Sequence, residues 1–281
     1  MTFEEQGLPS DLALLINMPN AVERRAFQER QLMALAIPFR LFPATTVADV
    51  PGPEMERLRA SWARPLRPAE VACTLSHRRA WAEVVASGRP RLILEDDVIL
   101  SHSVGILLRA LLPRSDLDYV TLETYALPKL LSAHSEPVAG TPFRLSRLYR
   151  DRGGAAAYLL WPKAAARLLA ATERQTPLAD AAIDLAAGFR HHQIEPAAAV
   201  QAMFLGMAEP AFQGISPSHI SASPVPDYSG PLAWLRHKGR RLAISLRLFL
   251  RQSAALGAER RRVPHPSDLY RPMSRPPQDP S

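Results

Sequence analysis

Short apolar runs alternate with helix-forming stretches through the first two thirds of the chain. LALLIN (12–17) is an apolar run ending in a polar residue, the pattern of a strand buried on both faces. AVERRAFQERQLMALA (21–36) reads as a helix, and IPFRLFPAT returns to an extended segment, which makes a β-α-β start. A Pro/Arg-rich connection over 43–67 carries a short helix near 54–60. RPAEVACTLSHRRAWAEVVASG predicts a long helix, with Pro68 in its first turn and Gly88 at its end. On a helical wheel Val71, Leu75, Ala82 and Val85 share one face, and Glu70, Cys73, His77 and Trp81 share the next. RLIL (91–94) is a strand, VGILLRALLP a short helix, and DYVTLETY a strand ending at Glu123. GGAAAYLLWPKAAARLLAA gives a loop, a strand and a helix from Pro162; LADAAIDLAAGF gives another helix; HHQIEPAAAVQ gives a strand and its exit loop. The alternation predicts an α/β fold with a mostly parallel central sheet flanked by helices.

The pattern changes near Ser221. SASPVPDYSGP is a linker by its Pro, Ser and Gly content, and LAWLRHKGRRLAISLRLFLRQSAALGAERRR is strongly basic. From Trp234 onward, Leu235, Leu242, Leu246, Phe249 and Leu250 share one side of a helical wheel, with Arg236, Arg240, Arg247 and Arg251 beside them. Such a helix (234–262) suits either an anionic membrane surface or packing on the domain, and Ile244 and Leu248, off the stripe, favour partial burial. VPHPSDLYRPMSRPPQDPS is Pro-rich and reads as disordered. The expected division is a catalytic domain over 1–222 and, over 223–281, a linker, a basic amphipathic helix and a Pro-rich tail.

Composition narrows the function. Of 281 residues 47% are hydrophobic, enough for a sizeable core, and the formal net charge of +7 suits an anionic partner. Nucleic acid is disfavoured, because the basic residues carry no recognisable motif and no interleaved stacking aromatics. The single cysteine, Cys73, rules out an intrachain disulfide and fits a reducing compartment. The first residues lack the basic and apolar regions of a signal peptide, and no run reaches the roughly 18–20 apolar residues of a membrane span. The expected location is cytoplasmic, on or near the inner face of the cytoplasmic membrane.

The chemistry is concentrated in RLILEDDVIL. In open α/β sheets ligands bind beyond the carboxyl ends of strands, where Glu95, Asp96 and Asp97 stand. Three adjacent carboxylates repel, and hard oxygen ligands suit Mg²⁺ or Mn²⁺, which bridges a diphosphate and stabilises a departing nucleotide. The plainer alternative is a solvated loop capping the next helix.

Three blocks decide between them. LLINMPNAVERRAFQERQLMALAIPFRLFPAT, LRPAEVACTLSHRRAWAEVVASGRPRLILEDDVIL and GGAAAYLLWPKAAARLL, in collinear order over residues ~11 to ~205, resemble glycosyltransferase family 25, which includes bacterial lipooligosaccharide galactosyltransferases. The middle block, Glu-x-x-Cys-x-x-Ser-His, a Trp helix and Leu-Glu-Asp-Asp, is the most specific. The resemblance implies a GT-A-type fold, a UDP-sugar donor (commonly UDP-galactose), Mn²⁺ or Mg²⁺, an inverting transfer and a saccharide or glycolipid acceptor of the bacterial envelope. Met18-Pro19 departs from the family's Leu-Asp, and 127–142 matches poorly.

Glu95 and Asp97 have the acid-x-acid spacing of the GT-A metal motif: Asp97 is expected on the metal, Glu95 on the metal or the donor ribose, and Asp96 in a structural hydrogen bond. For donor binding the candidates are Asn17, facing a base edge or tying a turn; Arg24 or Arg25, as a guanidinium fork on the diphosphate; Ser76 and His77; and Gln201. Tyr158 is expected beneath the site. Cys73 and His77 stand at i, i+4, a soft-metal pair without two further ligands, so Cys73 reads better as a small buried residue. The general base that deprotonates the acceptor is one of Glu123, Asp180 and Asp184. Two other functions share these features: a different metal-dependent nucleotide-using transferase, and an inactive saccharide- or membrane-binding module, which the intact acids argue against.

Overall fold

The apolar runs are buried from both sides, and this sets the architecture. The computed structural model describes residues 7–125, 127–151, 153–205, 215, 230–253, 255 and 257–271. The elements are β1 (Ala13–Asn17), α1 (Val22–Ala34), β2 (Phe39–Pro43), α2 (Gly52–Arg59), α3 (Pro68–Ser87), β3 (Arg91–Glu95), β4 (Val98–Leu100), α4 (Val104–Leu111), β5 (Tyr119–Thr121) and β6 (Glu123–Thr124). They continue with β7 (Lys129–Pro137), β8 (Arg144–Arg150), β9 (Ala157–Leu160), α5 (Pro162–Ala171), α6 (Ala179–Leu185), β10 (His191–Glu195), β11 (Ala199–Gln201), α7 (Pro231–Ser253) and β12 (Ala258–Arg261).

Among the described residues a nine-stranded sheet runs in the order β12-β7-β8-β10-β5-β9-β3-β1-β2, beside a small sheet β4-β11-β6. β1 pairs in parallel with β2 and β3, and β5 in parallel with β10. The expected mostly parallel sheet is in fact mixed: β9 enters antiparallel between β3 and β5, and β8, β7 and β12 extend the far side antiparallel. Successive strand residues point to opposite faces. Leu15, Leu92, Leu94 and Leu159 enter a core beneath α1 and α4, whereas Leu14, Ile93, Tyr158 and Leu160 enter a second core with Trp81, Ala164 and Ile183 of α3, α5 and α6.

α3 lies on this second face. Pro68 starts it, and the Glu70 carboxylate accepts from Arg67 N–H at its N-terminus while Arg64 forks onto both oxygens at 2.7 and 2.8 Å. Gly88 ends it at φ 62°, a left-handed position that glycine adopts without strain. The helix buries His77, Ala80, Trp81 and Val84; of the face of Val71, Leu75, Ala82 and Val85, Val71 is buried but Ala82 and Val85 are exposed. His77 and Trp81, on the neighbouring face, are buried with hydrogen bonds that periodicity does not register.

The Pro-rich end is a second correction. β12 pairs with β7, Val263 and Tyr270 are buried, and Ala197 N–H donates to Pro264 O. Asp268 accepts from Ser101 Oγ (2.7 Å), Ser103 N (2.9 Å) and Ser103 Oγ (2.6 Å), so the tail supplies the carboxylate at the N-terminus of α4. The expected linker at 221–229 and the residues 272–281 lie outside the described residues.

Burial opposes ionisation of Asp268, but hydrogen bonds from Ser103 and Ser101 outweigh it and hold its carboxyl below the usual 3.8. The stability it contributes is therefore present above that value and lost as pH falls through the lowered one. Asp268→Ala should lower the free energy of unfolding at pH 7 by about 1–3 kcal/mol. Urea titrations should show the gap from wild type closing in acid; an equal gap at all pH values would contradict the capping role.

Candidate active site

The parallel strands β1, β2 and β3 end together, and a cavity of about 300 Å³ opens beyond them. Its walls come from the exit of β1 (Met18, Asn20), the loop after β2 (Thr45, Thr46), α3 (Cys73, Ser76, His77) and the acids Glu95, Asp96 and Asp97. Hydrogen bonds hold the β2 exit loop in place. Ser76 Oγ donates to Ala72 O and accepts Thr45 N–H at 2.8 Å, and Arg79 reaches Pro43 O at 3.0 Å. β4 is pinned by α1: Gln28 and Gln31 donate to Val98 O, and Leu100 N–H donates to Gln31 Oε1. The Asp96–Asp97 turn between β3 and β4 is thus fixed at both ends.

The three acids have three different environments. Glu95 Oε1 lies 3.0 Å from His77 Nε2 and faces the cavity. Asp96 turns away: Arg24 Nη1 lies 3.2 Å from Oδ1, and Asn17 Nδ2 donates to Oδ2 at 2.7 Å. Burial pushes the Asp96 carboxyl up, and these two partners work against it. Asp97 is 4% exposed, and among the described residues its carboxylate accepts only from Gln201 Nε2, at 3.3 and 3.4 Å. Burial, reinforced by Glu95, pushes its carboxyl well up. A buried carboxylate so weakly partnered, with a second carboxylate beside it on the cavity wall, fits a hard divalent cation.

His77 has one consistent tautomer. Trp81 Nε1–H only donates, so the Tyr158 hydroxyl oxygen accepts it at 2.8 Å. The Tyr158 O–H is then free to donate to His77 Nδ1 at 2.9 Å, which leaves the ring hydrogen on Nε2, directed at Glu95. Trp81, Tyr158 and His77 are all fully buried. This chain orients Glu95 and argues against a soft metal, although Cys73 Sγ, His77 Nε2 and a Glu95 oxygen lie within 4.8 Å of one another. The nitrogen such an ion needs already carries the hydrogen. Burial, with Glu95, Asp180 and Asp97 adding repulsion, pushes the half-buried Cys73 thiol well up, away from a thiolate.

Other expected residues separate. Arg24 lines the cavity, but Arg25 pairs with Glu29 at 2.7 Å on the exposed face of α1. The Asn17 amide holds Asp96 and Ala21 O, and the residue does not line the cavity. Glu123, expected at the crevice, is 1% exposed beneath Gly154. Its Oε1 accepts Ala156 N–H at 2.8 Å, and a Cβ on Gly154 would stand 2.9 Å from that oxygen, so only glycine allows the approach. Lys129 Nζ, also buried, lies 2.8 Å from Asp151 Oδ2 and donates to Glu123 O and Gln193 Oε1.

Asp180 and Asp184 line a second cavity of about 320 Å³ together with Asp151, Gly153, Trp62 and, from α7, Ile244 and Leu248. Asp184 Oδ1 accepts Asp151 N–H, and Asp180 Oδ1 accepts Ala181 N–H. Burial raises the Asp180 carboxyl; Glu95 and Asp184 add to the rise and His77 opposes it, which places Asp180 within electrostatic reach of the first cavity. Thr45, Thr46 and Asn20 were not singled out from sequence, and Met18 only as a departure from the family's pattern. Their signal was position alone, just past the ends of two parallel strands.

The sequence model of glycosyltransferase family 25 (LPS biosynthesis protein) matches residues 11–185, well over half of the chain. No curated protein shows a significant match. Among the described residues no helix is long and apolar enough to cross a membrane.

Glu123 yields a test of its buried role. Burial pushes its carboxyl above the usual 4.5 against the opposing charge of Lys129. Folding therefore takes up a proton there, and stability is lost as pH rises through the raised value. Glu123→Gln keeps the acceptor for Ala156 N–H without the charge. Its melting temperature should exceed that of wild type at pH 8 and match it at pH 5; a lower melting temperature at pH 8 would mean that the ionised form is stabilising.

Proposed function

The chain belongs to glycosyltransferase family 25 (LPS biosynthesis protein), and on that premise we propose that it moves a hexose, galactose from UDP-galactose, onto a saccharide of lipopolysaccharide or a related envelope glycan. The observation that carries this reading is the cavity beyond β1, β2 and β3, with Asp97 buried and underpartnered at its edge. We read the sheet and acid pair as a GT-A-type donor site. The nucleotide lies against the β1 and β2 exits and α3. Arg24, on the cavity wall beside Asp96, adds positive charge toward the diphosphate.

Asp97 and Glu95 would hold Mn²⁺ or Mg²⁺, with the His77 hydrogen bond fixing how Glu95 presents its oxygens. A bound cation supplies charge stabilisation to the departing UDP. The acceptor approaches through the second cavity. Asp180 takes the proton of the acceptor hydroxyl as its oxygen bonds to the anomeric carbon and the bond to UDP breaks. Asp180 is preferred over Glu123, which is buried and lines neither cavity, and over Asp184, because Asp180 lies within reach of the charge of Glu95 on the wall of the first cavity.

Asp97→Ala should reduce metal-dependent UDP release from UDP-galactose by about a hundredfold or more. Undiminished turnover that no longer responds to Mn²⁺ or to chelator would remove the metal role.

Asp180→Asn should lower kcat by about a hundredfold or more while leaving donor KM nearly unchanged. Asp180 must be ionised to act, and burial holds its carboxyl above the usual 3.8. The acid limb of the wild-type kcat/KM profile should therefore fall above that of an exposed aspartate. An equal loss on Asp184→Asn, with Asp180→Asn active, would reassign the base.

A further inference from the structure

α7 has two faces that meet different surroundings. One is docked. The His237 ring Nδ1 lies 2.6 Å from Trp62 O, Arg240 donates to Ala60 O and Trp62 O at 2.8 and 3.0 Å, and Ile244 and Leu248 wall the second cavity beside Asp180 and Asp184. Positions 237, 240, 244 and 248 follow one helical stripe. The opposite stripe, 232, 235, 239, 242 and 246, carries leucine at every position but Gly239: Leu232 is 81% exposed, Leu235 62%, Leu242 72% and Leu246 57%. Lone exposed leucines need no explanation, but a row of four along one helix does.

Charge identifies the occupant. The sequence of α7 holds Arg236, Lys238, Arg240, Arg241, Arg247 and Arg251 and no Asp or Glu. Arg236, Lys238 and Arg247 are exposed on the flanks of the leucine row. A second copy seated on the row would set cations against cations with no carboxylate in either helix to compensate them. A surface that is apolar within and anionic at its boundary satisfies both the leucines and their flanks.

We propose that α7 lies in the plane of an anionic lipid bilayer, with Leu232, Leu235, Leu242 and Leu246 in the acyl boundary and Arg236, Lys238 and Arg247 among the headgroups. The docked face of the same helix walls the cavity that holds Asp180 and Asp184. Docking therefore carries that cavity to headgroup level, where the saccharide of a lipid-linked acceptor is presented. This last step rests on the proposed glycosyl transfer; the lipid contact does not.

The test is sedimentation of the full chain with vesicles of phosphatidylcholine alone and of phosphatidylcholine mixed with phosphatidylglycerol, without donor. Wild type should bind the anionic vesicles at least about tenfold more tightly than the neutral ones, and less tightly as salt is raised. Leu235→Ser/Leu242→Ser/Leu246→Ser should lose about tenfold or more of that binding, with circular dichroism and release of UDP from UDP-galactose unchanged. Should that variant not fold, Arg236→Gln/Lys238→Gln/Arg247→Gln must show the loss and a flattened salt dependence. Absence of binding by folded wild type overturns the proposal. So does equal binding by a folded leucine variant, or a dimer in light scattering that the leucine substitutions dissociate. So too does protection of residues 206–229 from protease that the same substitutions remove, since it would mean that the chain itself covers the row. If vesicles bind but no UDP-sugar is turned over, the lipid contact stands and the delivery of acceptor falls. If turnover is intact and vesicles do not bind, the lipid contact and the delivery of acceptor both fall while the proposed transfer stands.

Discussion

Three adjacent carboxylates at the end of a buried strand cannot share one solution, and the site is organised around keeping them apart. Each acid recruits a different part of the chain. Glu95 draws on α3 through His77, Asp96 on α1 and the end of β1 through Arg24 and Asn17, and Asp97 on β11 through Gln201. Like charges on neighbouring residues lose little repulsion to screening inside a protein. The separation is achieved by direction: the turn after β3 aims each side chain at its own partner. Only Asp97 is left with a partner too weak to balance it, and that residual imbalance is what a ligand can answer.

The supports behind those partners are themselves buried and polar. The run from Trp81 through Tyr158 to His77 is complete, with every donor matched to an acceptor, and it crosses from α3 to β9 and back. A polar network of this kind is stabilising only while every member is satisfied. It ties the position of Glu95 to the packing of α3 on the sheet. α3 thereby transmits the stability of the second core to the geometry of the cavity wall, as Gln28 and Gln31 of α1 do for β4.

Legibility in the sequence followed the type of interaction. β1, β3 and β9 were readable because strands buried on both faces are continuous apolar runs, and α3 was readable from Pro68 and Gly88. β7 and β8 passed unnoticed: KLLSAHSEP and RLSRLYR alternate polar residues on a half-exposed face. β12, AERR, has no apolar signature because it joins the sheet through backbone hydrogen bonds and through the Arg261 side chain, which reaches Ser132 O and Glu195. In the site, Glu95 and Asp97 stood out by charge and His77 by the resemblance. Thr45, Gln28 and Gln31 did not, since each acts through or upon the main chain and leaves no periodic trace. Glu123 misled because a strand end was taken as a crevice, whereas that strand end is roofed by the segment leading into β9.

That antiparallel strand has a consequence for how the molecule can change. β9 begins where β3 and β5 finish, so the edge of the sheet that receives ligand combines strand exits with one strand entrance. The first cavity is lined wholly by residues within 16–97, the second by residues within 150–185 with Trp62 and α7. The two cavities are thus written largely in separate stretches of the chain. Substitutions can accumulate in one stretch while the other is held constant, so one chemistry can be handed to new recipients without being rebuilt.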